Sequence, residues 1–349
     1  MLIFNDNRQY SLLLNGYPLL ESNDCRKGIS MKKALMMLLA AAIVGAGATP
    51  ANAEGGEKKK SVTAKKKAPR VAVQFKAKTK VVRAKSPQRL ASLDDARYLA
   101  LQSSAVLVQD QATGAILFEK NAGAVLPIAS ITKLMTAMVV LDATPDLTEN
   151  LAIGEDDVDL IKGTRSRLKV GTQLAREEML RLALMSSENR AASALSRHYP
   201  GGRDAFVAAM NRKAQALGLA DTRFQDATGL TAANVSSPRD LAKMVDAAHQ
   251  YPLIREFSTA SEGEFSIAGR QQQFRNTNTL VKSPVWEIGL SKTGYINEAG
   301  KCLVMQAWLN NKPTIIVLLD SWGKMTRIGD ANRIKRWVES ASLARQTAG

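Results

Sequence analysis

Thirteen basic and only two acidic side chains crowd residues 54–89, in runs such as Lys58-Lys59-Lys60 and Lys65-Lys66-Lys67. Like charges at that density repel, and few large apolar groups are present to oppose them. The stretch is therefore expected to be an extended, disordered tether outside any core. Whatever folds must begin at about Leu90. The tether also holds eleven of the chain's sixteen excess positive charges. Residues 90–349 carry 30 basic and 27 acidic side chains, a near balance that argues against a nucleic-acid binder. For the tether two readings stand equal: weak attraction to an anionic membrane or polymer surface, or a solvated spacer.

Upstream of the tether, residues 31–53 read as a cleaved export signal. Met31-Lys32-Lys33 precedes an apolar run over residues 34–44. Gly45, Gly47 and Pro50 then break the helix, and Ala51-Asn52-Ala53 supplies the small residues a signal peptidase accepts. The run is shorter than the ~20 residues that span a bilayer, so a retained anchor is the lesser reading. Residues 1–30 show no fold pattern and are expected to be an upstream extension, with Met31 the true start. Export would place the folded part in the periplasm. Cys25 would leave with the signal, and Cys302 alone could form no intramolecular disulfide.

Residues 105–110 and 115–120 read as a hairpin around residues 111–114. Residues 128–144 lack Gly and Pro and read as a helix, as do residues 174–186, 190–197 and 203–217. A second hairpin is expected from residues 302–308 and 314–319 around Asn310-Asn311-Lys312-Pro313, followed by a closing helix over 327–342. Strands, then helices, then strands again imply an α+β domain over 90–345, with one antiparallel sheet and helices packed on it.

Ser130-Ile131-Thr132-Lys133 is an S-x-x-K, a spacing that recurs at Ser30/Lys33, Ser166/Lys169 and Ser321/Lys324. Only Ser130 opens a strongly apolar helix, with Ile131, Leu134, Met135, Met138, Val139 and Leu141. Such a helix is buried, and three residues is almost one turn, so Lys133 shares a face with Ser130. Burial lowers a lysine's pKa, and a neutral amine can take the proton of a serine hydroxyl. A capping serine beside a snorkelling lysine would give the same four letters. Ser187-Glu188-Asn189, at the end of an apolar helix, offers a hydroxyl for proton relay and a carboxamide for a carbonyl or an amine. Lys292-Thr293-Gly294 follows a plausible strand over 286–290. Its lysine and threonine could hold a carboxylate, and its glycine admits a close backbone approach. His198 and His249, the only histidines, have no metal or triad spacing. No metal and no cofactor are implied.

The three motifs in this order are the signature of penicillin-binding proteins and serine β-lactamases. Residues 95–342 resemble the D-alanyl-D-alanine endopeptidases, low-molecular-mass penicillin-binding proteins of the penicillin-binding protein 7 type. Residues 184–192, Asn276-Thr277-Asn278, residues 299–305 and residues 224–230 extend the likeness. Ala227 departs from the proline expected there, in a loop taken to be of no catalytic consequence. The resemblance implies a β-lactamase/transpeptidase-like fold with a helical subdomain. It implies Ser130 as acylated nucleophile, Lys133 as base, Ser187 and Asn189 as relay and amide clamp, and Lys292, Thr293, Gly294 and Tyr295 as substrate contacts. It further implies that the backbone N–H groups of Ser130 and Tyr295 form the oxyanion hole, where one donor is worth roughly 2.7–4 kcal/mol. Peptidoglycan peptide stems would be the substrate and β-lactams the acylating inhibitors.

Three rival readings remain. A class A-type β-lactamase would need a downstream glutamate to activate water, and no Glu lies between Glu188 and Glu256; a long-lived penicilloyl-enzyme is expected instead. A DD-carboxypeptidase usually adds a C-terminal β domain and an anchor helix. This chain runs only 55 residues past Gly294, which favours the endopeptidase. A non-catalytic wall- or membrane-binding protein would tolerate a decayed site, yet every motif residue is intact.

Overall fold

The computed structural model describes residues 99–323 and 325–347, the last six as backbone alone. The segment 1–30, the export signal, the tether and Cys25 lie outside the described residues, as do Ser30/Lys33 and Lys324. The described chain runs β1 (Ser103–Asp110), β2 (Ile116–Lys120), β3 (Leu126–Pro127), α1 (Thr132–Asp142), β4 (Asn150–Ala152) and β5 (Gln173–Ala175). There follow α2 (Arg176–Met185), α3 (Asn189–Arg197), α4 (Gly202–Ala216), β6 (Val235–Ser236), α5 (Pro238–His249) and α6 (Pro252–Thr259). The chain closes with β7 (Glu262–Ile267), β8 (Arg270–Arg275), β9 (Glu287–Ile296), β10 (Gly300–Leu309), β11 (Lys312–Ser321) and α7 (Thr326–Thr347).

Five strands form one antiparallel sheet in the order β2-β1-β11-β10-β9. The central strand β11 is apolar without a break from Ile315 to Leu319 because both its faces are covered, and successive side chains alternate between two cores. In β11, Ile315, Val317 and Leu319 enter the larger core under the helices. Ile316 and Leu318 enter a smaller one closed by Ile334 and Trp337 of α7. β1 divides the same way, Ala105 and Leu107 against Val106 and Val108. The N-terminal hairpin joins the C-terminal strands because β1 pairs with β11, Leu107 opposite Val317.

Several boundaries differ from the sequence reading. Residues 174–175 are strand, because Gln173–Ala175 pairs with Asn150–Ala152. The second hairpin turns on Asn310 and Asn311 alone, both at positive φ as a two-residue turn requires. Lys312 and Pro313 already pair in β11. Helices α5 and α6 went unread, although each starts with proline in its first turn. For α5 the Ser237 side chain also caps the Asp240 N–H.

A short turn after β4 hangs on Asp157, which is 3% exposed. Its carboxylate accepts from Arg197 and Arg203 at 2.8 Å each, from the Gly154 N–H and from the Ser193 hydroxyl. Burial works against the charge, yet these bonds hold its pKa below the ordinary aspartate value. Asp157→Ala is expected to lower stability by about 3 kcal/mol, the low end for a buried pair because both arginines reach solvent. Urea unfolding at pH 7 measures it. The difference should shrink as pH falls through the depressed pKa, where the wild-type carboxylate also loses its charge.

Candidate active site

α1 is buried on every side from Thr132 to Val140, so its lysine has no route to water. Lys133 is wholly buried, and its amine meets three oxygens: Ser130 Oγ at 2.9 Å, Asn189 Oδ1 at 2.7 Å and the Thr228 carbonyl at 2.6 Å. Burial pushes its pKa down to about 7, against the opposing pull of Asp226 and Glu188. A neutral amine has two N–H donors and one lone pair. The Asn189 oxygen and the Thr228 carbonyl can only accept, so they take the two N–H groups. The lone pair is left for the one neighbour able to donate, the Ser130 hydroxyl.

Ser130 sits in a tight turn, residues 129–131, immediately before α1. That turn is held from both sides by glycine. A Cβ on Gly294 would lie 2.8 Å from the Ile128 carbonyl oxygen and 3.2 Å from Ser130 N. One on Gly229 would lie 1.9 Å from the Ala129 carbonyl oxygen. Ala129 and Ser187 both adopt positive φ, at 48° and 60°. Such strain in non-glycine residues persists only where the surroundings impose it, and it gathers at functional sites.

Ser187 lies between α2 and α3, and Asn189 opens α3. The Ser187 hydroxyl accepts at 2.9 Å from Lys292, which also donates to the Thr293 carbonyl at 3.1 Å. Lys292 is buried in β9, an edge strand of the sheet. Burial, reinforced by the positive charges of Lys133 and Arg327, holds its pKa well below the ordinary lysine range. The charged form is therefore disfavoured in the free protein, and an anionic group placed beside the amine would restore it. Thr293 Oγ1 bonds Thr277 Oγ1 at 2.6 Å, while the Thr277 N–H reaches the Met185 carbonyl. The segment 276–278 thus braces β9 and the end of α2 together. Tyr295, next along β9, is 55% exposed.

The fold brings Ser130, Lys133 and Asn189 into direct contact. It joins Ser187 to Lys292 and packs Gly294 on the backbone of Ser130. Of the other S-x-x-K serines among the described residues, Ser166 donates to Glu188 inside the S-x-N segment and Ser321 to Thr326. The sequence reading missed the loop after α4. Thr228 supplies a carbonyl to Lys133, Ala227 supplies one to Thr136, and Asp226 accepts from the N–H groups of Thr228, Gly229 and Thr231. Wholly buried Asn234 clamps that loop to Thr132. The departure at Ala227 therefore sits within the site, although only its backbone is used. Asp226-Ala227-Thr228-Gly229 has the form of an Asx turn closed by glycine, a local signal that marked a turn and nothing about its neighbours. Arg327 was also missed; its guanidinium donates to the Gly294 and Cys302 carbonyls. Cys302 is buried, and burial raises its thiol pKa to about 11. Among the described residues, no cluster of His, Cys, Asp and Glu could hold a metal ion, and no helix is long and apolar enough to cross a membrane.

An antiparallel sheet with a helical subdomain, a serine on a buried lysine and a second lysine behind it define the class of β-lactamase/transpeptidase-like serine enzymes. The profile of the D-alanyl-D-alanine carboxypeptidase family matches residues 92–323. The D-alanyl-D-alanine endopeptidase of Pseudomonas aeruginosa is 49% identical over 70% of this chain and 79% of its own. That of Escherichia coli is 46% identical over the same shares. The crystal structure of the Streptomyces K15 DD-transpeptidase superposes with a TM-score of 0.64 at 28% identity, over 68% of this chain and 97% of that one. The chain belongs to the D-alanyl-D-alanine carboxypeptidase family of serine peptidases.

Proposed function

We propose that this protein is a DD-endopeptidase that hydrolyses D-alanyl cross-links of peptidoglycan through an acyl-enzyme on Ser130. The observation that carries the reading is the set of three oxygens around Lys133. They leave the amine's lone pair facing the Ser130 hydroxyl. In that mechanism Ser130 Oγ attacks the D-alanyl carbonyl as its proton passes to Lys133. The C–N bond then breaks as the proton on Lys133 passes by way of Ser187 to the leaving amine. Water attacks the ester as it gives a proton to the neutral Lys133, and Ser130 leaves by taking that proton back. Asn189 and β9, with Thr293, Gly294 and Tyr295, would hold the peptide, and Lys292 would hold an anionic or carbonyl oxygen. Identity of 38–49% to endopeptidases, against 30–31% to carboxypeptidases, favours cleavage within a cross-link over trimming of a terminus. The pattern at residues 31–53 supports export to the periplasm, where that substrate lies.

A β-lactam should acylate the same serine and stay. Both carboxylates that act on Lys133 are engaged elsewhere, Glu188 by Ser166 and Asp226 by its own loop, which supports slow release. Peptide mapping after exposure to benzylpenicillin is expected to put the added mass on the peptide containing Ser130. Label on another residue, or none, would overturn the reading. Digestion of cross-linked muropeptide dimers should yield monomers. Release of D-Ala from pentapeptide monomers with intact dimers would move the assignment to a carboxypeptidase.

A further inference from the structure

The loop before β5 meets the S-x-N segment through side chains that the proposed reaction leaves unused. Thr164 Oγ1 accepts from Asn189 Nδ2 at 3.1 Å and donates to Asp159 Oδ2 at 2.6 Å. Asp159 can only accept here. Its Oδ1 takes the Ile161 and Lys162 N–H groups at 2.9 Å each, and its Oδ2 takes the Thr164 N–H as well. Burial opposes its charge, but these bonds hold its pKa below the ordinary aspartate value. The single hydroxyl proton of Thr164 is thus committed to Asp159, and only lone pairs face Asn189. The amide must turn its N–H toward Thr164 and its oxygen toward Lys133, where Oδ1 accepts at 2.7 Å. The loop is pinned independently on the same helix start, by Ser166 to Glu188 at 2.7 Å and by Arg190 to the Leu168 carbonyl at 2.9 Å.

We propose that Asp159 and Thr164 are positioning residues that fix the orientation of the Asn189 carboxamide, and through it aim the lone pair of Lys133 at Ser130. The consequence follows from donor counting. Reversing the amide would present N–H groups to Lys133. The lone pair of the neutral amine would turn to them and away from the serine hydroxyl. The amide nitrogen carries two hydrogens; Thr164 takes one, and the other can serve a substrate carbonyl. The inference rests on Ser130 and Lys133 as nucleophile and base.

The test uses the full chain and a fluorescent penicillin, resolving the acylation rate constant at saturation from the preceding binding constant. Thr164 is exposed, so Thr164→Val should fold, which its thermal unfolding midpoint checks. Thr164→Val is expected to slow acylation about fivefold to tenfold, the scale of one hydrogen bond's net worth, with binding little changed. Thr164→Ser, which keeps the hydroxyl, should stay within about twofold of wild type. Equal acylation by Thr164→Val and wild type would overturn the positioning role alone. Equal loss in Thr164→Val and Thr164→Ser would do the same, because the hydroxyl would then not be the operative group. Failure of the wild-type protein to label at Ser130 would overturn the nucleophile assignment, and this role with it.

Discussion

Lys133→Met is expected to slow acylation of Ser130 by penicillin about 10²–10⁴-fold at pH 7, the range for loss of a positioned base. Methionine keeps the buried apolar stem of the side chain as far as Cε, so α1 has no cause to unfold. The proton acceptor goes, and with it the two N–H donors to the Asn189 and Thr228 oxygens. Ser130→Ala should take no label at all. The wild-type enzyme should also show the base directly. The Lys133 amine has a pKa lowered to about 7, so it is charged below that value and neutral above it. The acylation rate should therefore rise with pH through 7, reaching roughly one-tenth of its plateau at pH 6 and about nine-tenths at pH 8. Asp226 and Glu188 favour the charged form and oppose the larger effect of burial. Neutralising either should move the midpoint down. Stopped-flow fluorescence between pH 5.5 and 9 reads the profile. A flat profile, or a rate that falls as pH rises through 7, would remove Lys133 from the role of base.

The second large effect is expected far from any reacting atom in sequence. Gly229→Ala should reduce acylation at least about 10²-fold, the scale of an ångström-sized displacement of a catalytic group, and lower the unfolding midpoint. Gly229 has φ +81°, and its added Cβ would lie 1.9 Å from the Ala129 carbonyl oxygen, 2.3 Å from the Ala129 carbonyl carbon and 2.9 Å from Ser130 N. All three are backbone atoms, so no side chain can rotate away, and the turn carrying Ser130 must shift. Gly123→Ala is the control, since a Cβ there meets nothing within 4 Å. The two variants should diverge both in labelling rate and in melting temperature. Wild-type acylation by Gly229→Ala would show that the nucleophile's turn is set by other contacts.

Much of this protein was legible before folding was considered. The apolar run after Ser130 announced a buried helix, and the spacing of Lys133 put the amine on the serine's face. Alternation was hidden in β11, where Ile315 to Leu319 reads as one apolar run. Both faces of that strand are covered, so the two-residue period carries no contrast. Helices α5 and α6 carried proline and capping signals that a search for apolar stripes passes over. The Asx turn at Asp226 was legible as a turn, but its carbonyls looked like those of any other surface loop.

Periodicity, capping residues and motif spacing are interactions among near neighbours, and the chain states them wherever it is read. On that basis the sequence alone determined the α+β class and the three motif segments. Only the tertiary structure decided which groups complete the site. The carbonyl accepting from Lys133 lies 95 residues away, Ser187 meets Lys292 across 105, and Thr164 meets Asn189 across 25. Contacts at such separations depend on how the sheet and helices close around one another. A backbone carbonyl, a glycine's missing Cβ and the direction of a hydroxyl proton have no residue letter to announce them.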